Sequence, residues 1–476
     1  MKYLLSLDAS SIYEKIVSGS ITSLEVVETY IHHLQGDVKK LNAIVEERFT
    51  EAIEEAKKAD EYLKTKQKPI GPLHGVPISV KESFDVKGMK TTGGLFHLKD
   101  HVAKQDAFVV KKLKEAGAII LCKTNTSTLC YAQETVNKLY GWTNNPWDLT
   151  RSAGGSSGGE GALLAVGGAA IGIGSDIGGS IRFPSHLNGV IGFKSGMFQV
   201  DSTGHFPPDV VQLQKRMSSV GPMGKSVRDM ERMYNIIAKE QGKSNSSEEL
   251  TIQFLPDDQP YPISNKTKES INEVKEFLAK TFKVEEQLPP RFEESALLWQ
   301  EMMSVTGSKD RQQLAFDGKK NLPFTYLKEK LTKKTDYHEF LLWAFLGSTL
   351  FKPSKKRVAE IEQLTKETDE LLKKHFENRV LILPVYHVGA RKHGTIFREI
   401  FSIKKTFKKY MPYTAYSNVW GLPTLTVPIG DDEENMPIAV QIISVNGKEK
   451  NLFKIGKILE QQFRGYKRNT NFDRSS

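Results

Sequence analysis

Three serines, Ser156, Ser157 and Ser180, lie in a stretch from Gly154 to Gly192 in which Gly, Ser and Ala outnumber every other residue type. Leu163, Leu164, Val166, Ile171, Ile173 and Ile177 run through the same stretch. A flexible Gly/Ser tether carries no such apolar thread. Glycines this dense in a packed region mark close backbone approach or positive φ. Hydroxyls beside bare backbone N–H groups suit attack on a carbonyl and capture of the resulting oxyanion.

Other motifs compete for these residues and fail on position. A dinucleotide fingerprint starting at Gly172 needs glycine where Ile177 stands. A phosphate loop ending in Gly224-Lys225-Ser226 or Gly242-Lys243-Ser244 needs glycine where Ser219 and Ile237 stand. Gly154-Gly155-Ser156-Ser157-Gly158 matches the hydrolase elbow G-x-S-x-G, but the run before it, Asn145-Pro146-Trp147-Asp148-Leu149-Thr150, reads as a turn where the elbow requires a strand. His338-Glu339 is followed by Leu342 where a zinc hydrolase carries its second histidine.

A serine needs a base. Gly75-Val76-Pro77-Ile78-Ser79-Val80-Lys81 reads as a short buried strand over Pro77–Val80, with Lys81 at its C-terminal end, where parallel sheets place their chemistry. Lysine is a base only when neutral, and desolvation lowers its pKa from about 10.4. Lysine is rarely buried, so an ordinary surface lysine is the simpler reading of this residue taken alone.

The run from Lys81 through Ser156 to Ser180 resembles the amidase signature family, whose members use a Ser–cis-Ser–Lys triad. Ser180 follows Ser156 by 24 positions, the family spacing, and Gly75–Lys81 is similar to the family's G-x-P-x-x-x-K strand. Asp106–Leu113 with Ala118–Asn125 resembles the family's helix–strand–Lys-Thr-Asn unit. Asn137, Gly141, Asn145 and Pro146 are similar to the stretch before the glycine-rich core. Asn418, Gly421, Pro423, Pro428, Gly430, Pro437 and Gln441 resemble its C-terminal strand region. Thr128 departs from the pattern, since many relatives carry Glu there. The resemblance implies Ser180 as nucleophile, Ser156 as proton bridge and Lys81 as general base. It also implies an oxyanion hole from the N–H groups of Ile177, Gly178, Gly179 and Ser180, with Ser157, Asp176 and Arg182 supporting the loops. No metal and no organic cofactor is implied.

The elements that would position these groups follow. The resemblance implies one α/β domain with a mixed central sheet covered by helices on both faces. Its catalytic core spans about 70–200, a variable substrate-side helical region about 290–375, and a C-terminal strand region about 410–465. Strand and helix patterns alternate through Pro77–Val80, Asp106–Leu113, Ala118–Leu121 and Gly161–Ala170. Apolar residues at three- and four-residue spacing predict helices over Ser10–Leu34 and Thr50–Leu63. No linker or internal repeat divides the 476 residues, and 39% hydrophobic residues suffice for a large core.

Cys122 and Cys130 are too few for a disulfide framework, and Cys122 reads as a core thiol on a strand. The apolar start Met1–Leu7 is too short for a signal peptide, and no apolar run reaches membrane-span length, so a cytoplasmic protein is expected. Net charge is +10, yet no aromatic-interleaved basic patch accompanies it. A solvated basic surface is therefore expected, without nucleic-acid binding.

Phe340–Phe351 is the most apolar run of the chain. Within the resemblance it is similar to the helical cap of the fatty acid amide hydrolase branch, which implies linear, apolar acyl amides as substrates and contact of Leu342 and Phe345 with them. A helix buried in the body of the protein explains the run as well. The expected partners are a small amide and at most a peripheral membrane surface, with a homodimer left open. Two alternatives stand beside the amidase reading. One is the A subunit of a tRNA-dependent amidotransferase that hydrolyses glutamine. The other is a silent scaffold that keeps the fold.

Overall fold

Short apolar runs bounded by glycine and proline become strands, and the residues that follow them become the loops of the site. The computed structural model describes residues 2–239, 249–318, 320–401 and 404–473. Its strands are β1 (Ile44–Glu47), β2 (Pro77–Lys81), β3 (Ile119–Thr124), β4 (Val136–Asn137), β5 (Gly141–Trp142), β6 (Ile171–Asp176), β7 (Ile191–Lys194), β8 (Ser219–Gly224), β9 (Thr251–Phe254), β10 (Lys283–Glu286), β11 (Arg379–Pro384), β12 (Thr424–Asp431) and β13 (Pro437–Ile443). Apart from the β4–β5 hairpin they form one sheet, ordered β1-β3-β2-β6-β8-β7-β12-β13-β11-β9-β10.

The sheet is mixed. β3, β2 and β6 run parallel, as do β11, β9 and β10, while the strands between β6 and β11 pair antiparallel. Both faces are covered, and β11 shows it by the period-two alternation of a strand. Val380 and Ile382 join the large core beneath helices Ala9–Val17, Ser23–Leu34, Val227–Ile237 and Glu449–Gln462. Leu381 and Leu383 join the opposite core, beneath helices Ser295–Met303, Lys355–His375 and Pro412–Val419. Burial on both faces explains why β2, β3 and β6 contain no exposed residue.

The expected helix over Ser10–Leu34 is two helices. The chain breaks between Val17 and Ser23, where Gly19 has φ +73° and Thr22 caps the second helix with a reciprocal Glu25 contact. The second expected helix runs Phe49–Lys66, and the glycine-rich helix runs Gly158–Ala165 rather than on to Ala170. Among the described residues no helix is long and apolar enough to cross a membrane.

Candidate active site

Lys81 is the last residue of β2 and is fully buried. Its Nζ lies 2.6 Å from Ser156 Oγ and 2.9 Å from Ser175 Oγ. Burial pushes the Lys81 ammonium below the ordinary lysine range, against the opposing pull of Cys130, Asp176 and Glu160. The surface reading of Lys81 is thereby corrected: the strand ends inside the protein, and the amine ends with it.

Ser156 sits in the loop before helix Gly158–Ala165, after a cis peptide bond from Gly155. Its carbonyl accepts from Thr135 Oγ1 at 3.2 Å and from the Ser127 N–H at 3.4 Å, which pins the loop from outside. The helix behind it carries Glu160, whose buried carboxyl accepts from Ser79 Oγ at 2.5 Å and Thr124 Oγ1 at 2.8 Å. Burial raises that carboxyl to about 7. A Cβ on Gly172 would meet Glu160 Oε2 at 2.0 Å, so the glycine of β6 is what lets this helix lie against the strand.

Ser180 lies in the turn between β6 and helix Arg182–Asn188. The turn is wound around Asp176, whose carboxylate accepts from the N–H of Gly179 at 2.9 Å and of Ile181 at 3.0 Å. Arg182 closes the same carboxylate with Nε at 3.1 Å and Nη2 at 3.0 Å, both side chains being fully buried. The Arg182 guanidinium then reaches Thr414 O, Ser417 Oγ and Gln441 Oε1 at 2.7–3.0 Å, and Asn418 Oδ1. It holds the Asp176 carboxyl well below the usual range. Gly179 has φ +101°, and a Cβ there would meet the Phe183 ring at 2.6 Å.

The donors expected around the oxyanion need one correction. The N–H of Gly179 is engaged by Asp176, because the turn closes on that carboxylate. The N–H groups of Ile177, Gly178 and Ser180 have no acceptor among the described residues. The carbonyls of Ile177 and Gly178 point the other way, accepting from Trp299 Nε1 at 2.7 Å and Gln133 Nε2 at 3.0 Å. Ser157, Asp176 and Arg182 hold loops. Ser157 donates to the Ser175 carbonyl at 3.4 Å through Oγ.

Ser156, Ser175, Ser180, Cys130 and His205 line one small cavity. Ser180 and Cys130 also line a cavity of about 330 Å³, walled by Trp299, Met303, Trp343, Leu346, Phe401 and Phe407. The run Phe340–Phe351 forms helix Glu339–Leu350 and has two faces. Trp343, Leu346, Gly347 and Leu350 line the cavity. Leu341, Leu342 and Phe345 pack beneath with Phe316, Leu322 and Tyr337, so Leu342 and Phe345 are core residues and not the substrate contacts expected.

Sequence reasoning missed Ser175, Cys130, His205 and Glu160. Ser175 had a signal, since it shares with Lys81 the C-terminal end of parallel, adjacent strands. Cys130 had none: Leu129 and Cys130 adopt φ +51° and +58° at the position where Thr128 departs from the family pattern, and this turn carries the thiol to the site.

Comparison with known proteins identifies the family. The amidase family model matches residues 25–453. Fatty-acid amide hydrolase 2-A of Danio rerio is 33% identical over 499 residues, covering 98% of this chain and 90% of its own. The A subunit of the glutamyl-tRNA(Gln) amidotransferase from Alkaliphilus metalliredigens is 28% identical, covering 94% of each chain. A solved amidase crystal structure superposes with TM-score 0.80 at 25% identity, covering 96% of this chain and all of its own. The scaffold reading falls with these matches, and the chain belongs to the amidase family as an amide-hydrolysing enzyme.

Proposed function

We propose that this enzyme hydrolyses linear carboxylic amides with an apolar acyl portion, through an acyl-enzyme on Ser180. Neutral Lys81 accepts the proton of Ser156 as Ser156 accepts that of Ser180, and Ser180 Oγ bonds to the amide carbon. The oxyanion meets the N–H groups of Ile177, Gly178 and Ser180, each such donor being worth on the order of 3 kcal/mol in the transition state. Collapse breaks the C–N bond while the proton returns through Ser156 to the leaving nitrogen. Water, deprotonated by the same pair, then releases the acid.

The observation that carries the substrate class is the aromatic and aliphatic wall of the 330 Å³ cavity, which begins at Ser180. Such a wall binds acyl carbons, and its lining offers no charged side chain to the α-ammonium and α-carboxylate of glutamine. That disfavours the amidotransferase reading. Helices Leu322–Thr332 and Glu339–Leu350 beside the cavity expose Phe324, Leu327, Leu331 and Leu350, an apolar face suited to peripheral contact with lipid. The test is a series of primary amides from acetamide upward: kcat/KM climbs with acyl length and then levels. Short amides as the best substrates would sink the reading.

A further inference from the structure

A neutral lysine has one lone pair, and a base at Lys81 must present it to Ser156. Its N–H bonds must therefore point elsewhere. Ser175 Oγ receives one of them at 2.9 Å, and the same oxygen lies 2.9 Å from His205 Nε2. His205 Nδ1 lies 3.2 Å from the carbonyl of Pro207. A carbonyl only accepts, so Nδ1 carries the proton and Nε2 of the neutral ring is an acceptor. The Ser175 hydroxyl hydrogen thus goes to His205, which leaves the oxygen lone pair for Lys81.

The imidazole is held for this task. It packs edge-on against Phe84 with centroids 5.0 Å apart. Its loop is tied to the turn after β2, with Asp85 N–H donating to Gly204 O at 2.8 Å and Phe206 N–H to Ser83 O at 2.7 Å. The strand that ends in Lys81 and the loop that carries His205 therefore move as one piece.

We propose that His205 is a positioning residue for catalysis, acting through Ser175 to aim the lone pair of Lys81 at Ser156. The proposal rests on the triad reading above. Cys130 faces both Lys81 and His205, and Asp176 and Glu160 face Lys81.

The experiment compares His205→Phe, His205→Gln, Ser175→Ala and the double variant Ser175→Ala/His205→Phe in the full chain, on a saturating primary amide. His205→Phe keeps an aromatic ring against Phe84 but offers no acceptor. It is expected to lower kcat about ten- to a hundredfold with KM within about twofold, the scale of a misaimed catalytic group. His205→Gln, with a side-chain carbonyl, retains most of the activity. The double variant is no slower than Ser175→Ala. Wild-type kcat in His205→Phe, no rescue by His205→Gln, or multiplicative losses in the double variant would each overturn the proposal. Lys81→Ala is the control: if it turns over normally the triad reading fails, whereas a dead Lys81→Ala beside a normal His205→Phe rejects His205 alone.

Discussion

The backbone N–H of Ser157 donates to the carbonyl of Ser180 at 3.2 Å. This bond joins the two glycine-rich loops, so Ser156 and Ser180 are set relative to each other in part by main chain. A change confined to either hydroxyl leaves this backbone bond in place, so Ser156→Ala and Ser180→Ala can be read as chemistry.

Ser180→Ala is expected to abolish turnover while the thermal transition stays within a few degrees of the parent. A fluorophosphonate should add once per chain, and peptide mapping should place the adduct on Ser180. An adduct on Ser156 or Ser157 would reassign the nucleophile.

Activity is expected to rise with pH as Lys81 loses its proton, over a range below that of an ordinary lysine because burial lowers its pKa. The folded chain then holds fewer protons at this site than the unfolded chain does. Between the lowered value and the ordinary one near 10.4, the Lys81 contribution to stability therefore increases with pH. Lys81→Ala should cost at least about 10²–10⁴-fold in kcat. Lys81→Arg should give no rescue, since a guanidinium stays charged. Near-normal turnover by Lys81→Arg would refute general-base catalysis here.

Leu346 and Leu350 line the large cavity, and Leu342 lies beneath it. Each methylene of a bound acyl chain is worth about 0.8 kcal/mol, close to fourfold in kcat/KM per carbon. Leu346→Asp and Leu350→Asp should flatten that climb and leave acetamide hydrolysis unchanged. Leu342→Asp should instead lower stability, as a charge placed in the core. A steep chain-length dependence surviving both cavity variants would move the acyl site elsewhere.

Arg182→Leu strands the Asp176 carboxylate, fully buried, without its cation. Removing one partner of such a pair costs about 3–5 kcal/mol, readable by urea unfolding. The depressed Asp176 carboxyl gives the sign of the pH effect in the parent. Its stabilisation is complete above the ordinary aspartate range and disappears as pH falls through and below it. Equal acid sensitivity in parent and Asp176→Asn would show that this pair does not set the acid limit.

Lys81, Ser156 and Ser180 became candidates in the sequence through the family resemblance, since the residues alone left Lys81 an ordinary surface lysine. Gly75 and Pro77 mark the start of β2, and Gly178 and Gly179 follow the end of β6. The order of the strands was legible only as a class, since β8 lies between β6 and β7 and nothing local dictates that insertion. His205 was invisible for a related reason. Its loop reaches the site by pairing with residues 83–85, more than a hundred positions earlier, and no periodicity reports such a contact. The two faces of helix Glu339–Leu350 were illegible because both are apolar, one lining a cavity and the other filling the core.

The guanidinium of Arg182 ends on Thr414, Ser417, Asn418 and Gln441. The three proposed triad residues lie within the first 180 positions, yet the turn that holds Ser180 has anchors near the other end of the chain. A ribosome-bound nascent chain that has not yet emerged past Gln441 carries Arg182 without the acceptors that satisfy it. Chains that end before Thr414 are therefore expected to lack amide hydrolysis although they contain Lys81, Ser156 and Ser180, a loss that an activity assay of such truncations checks.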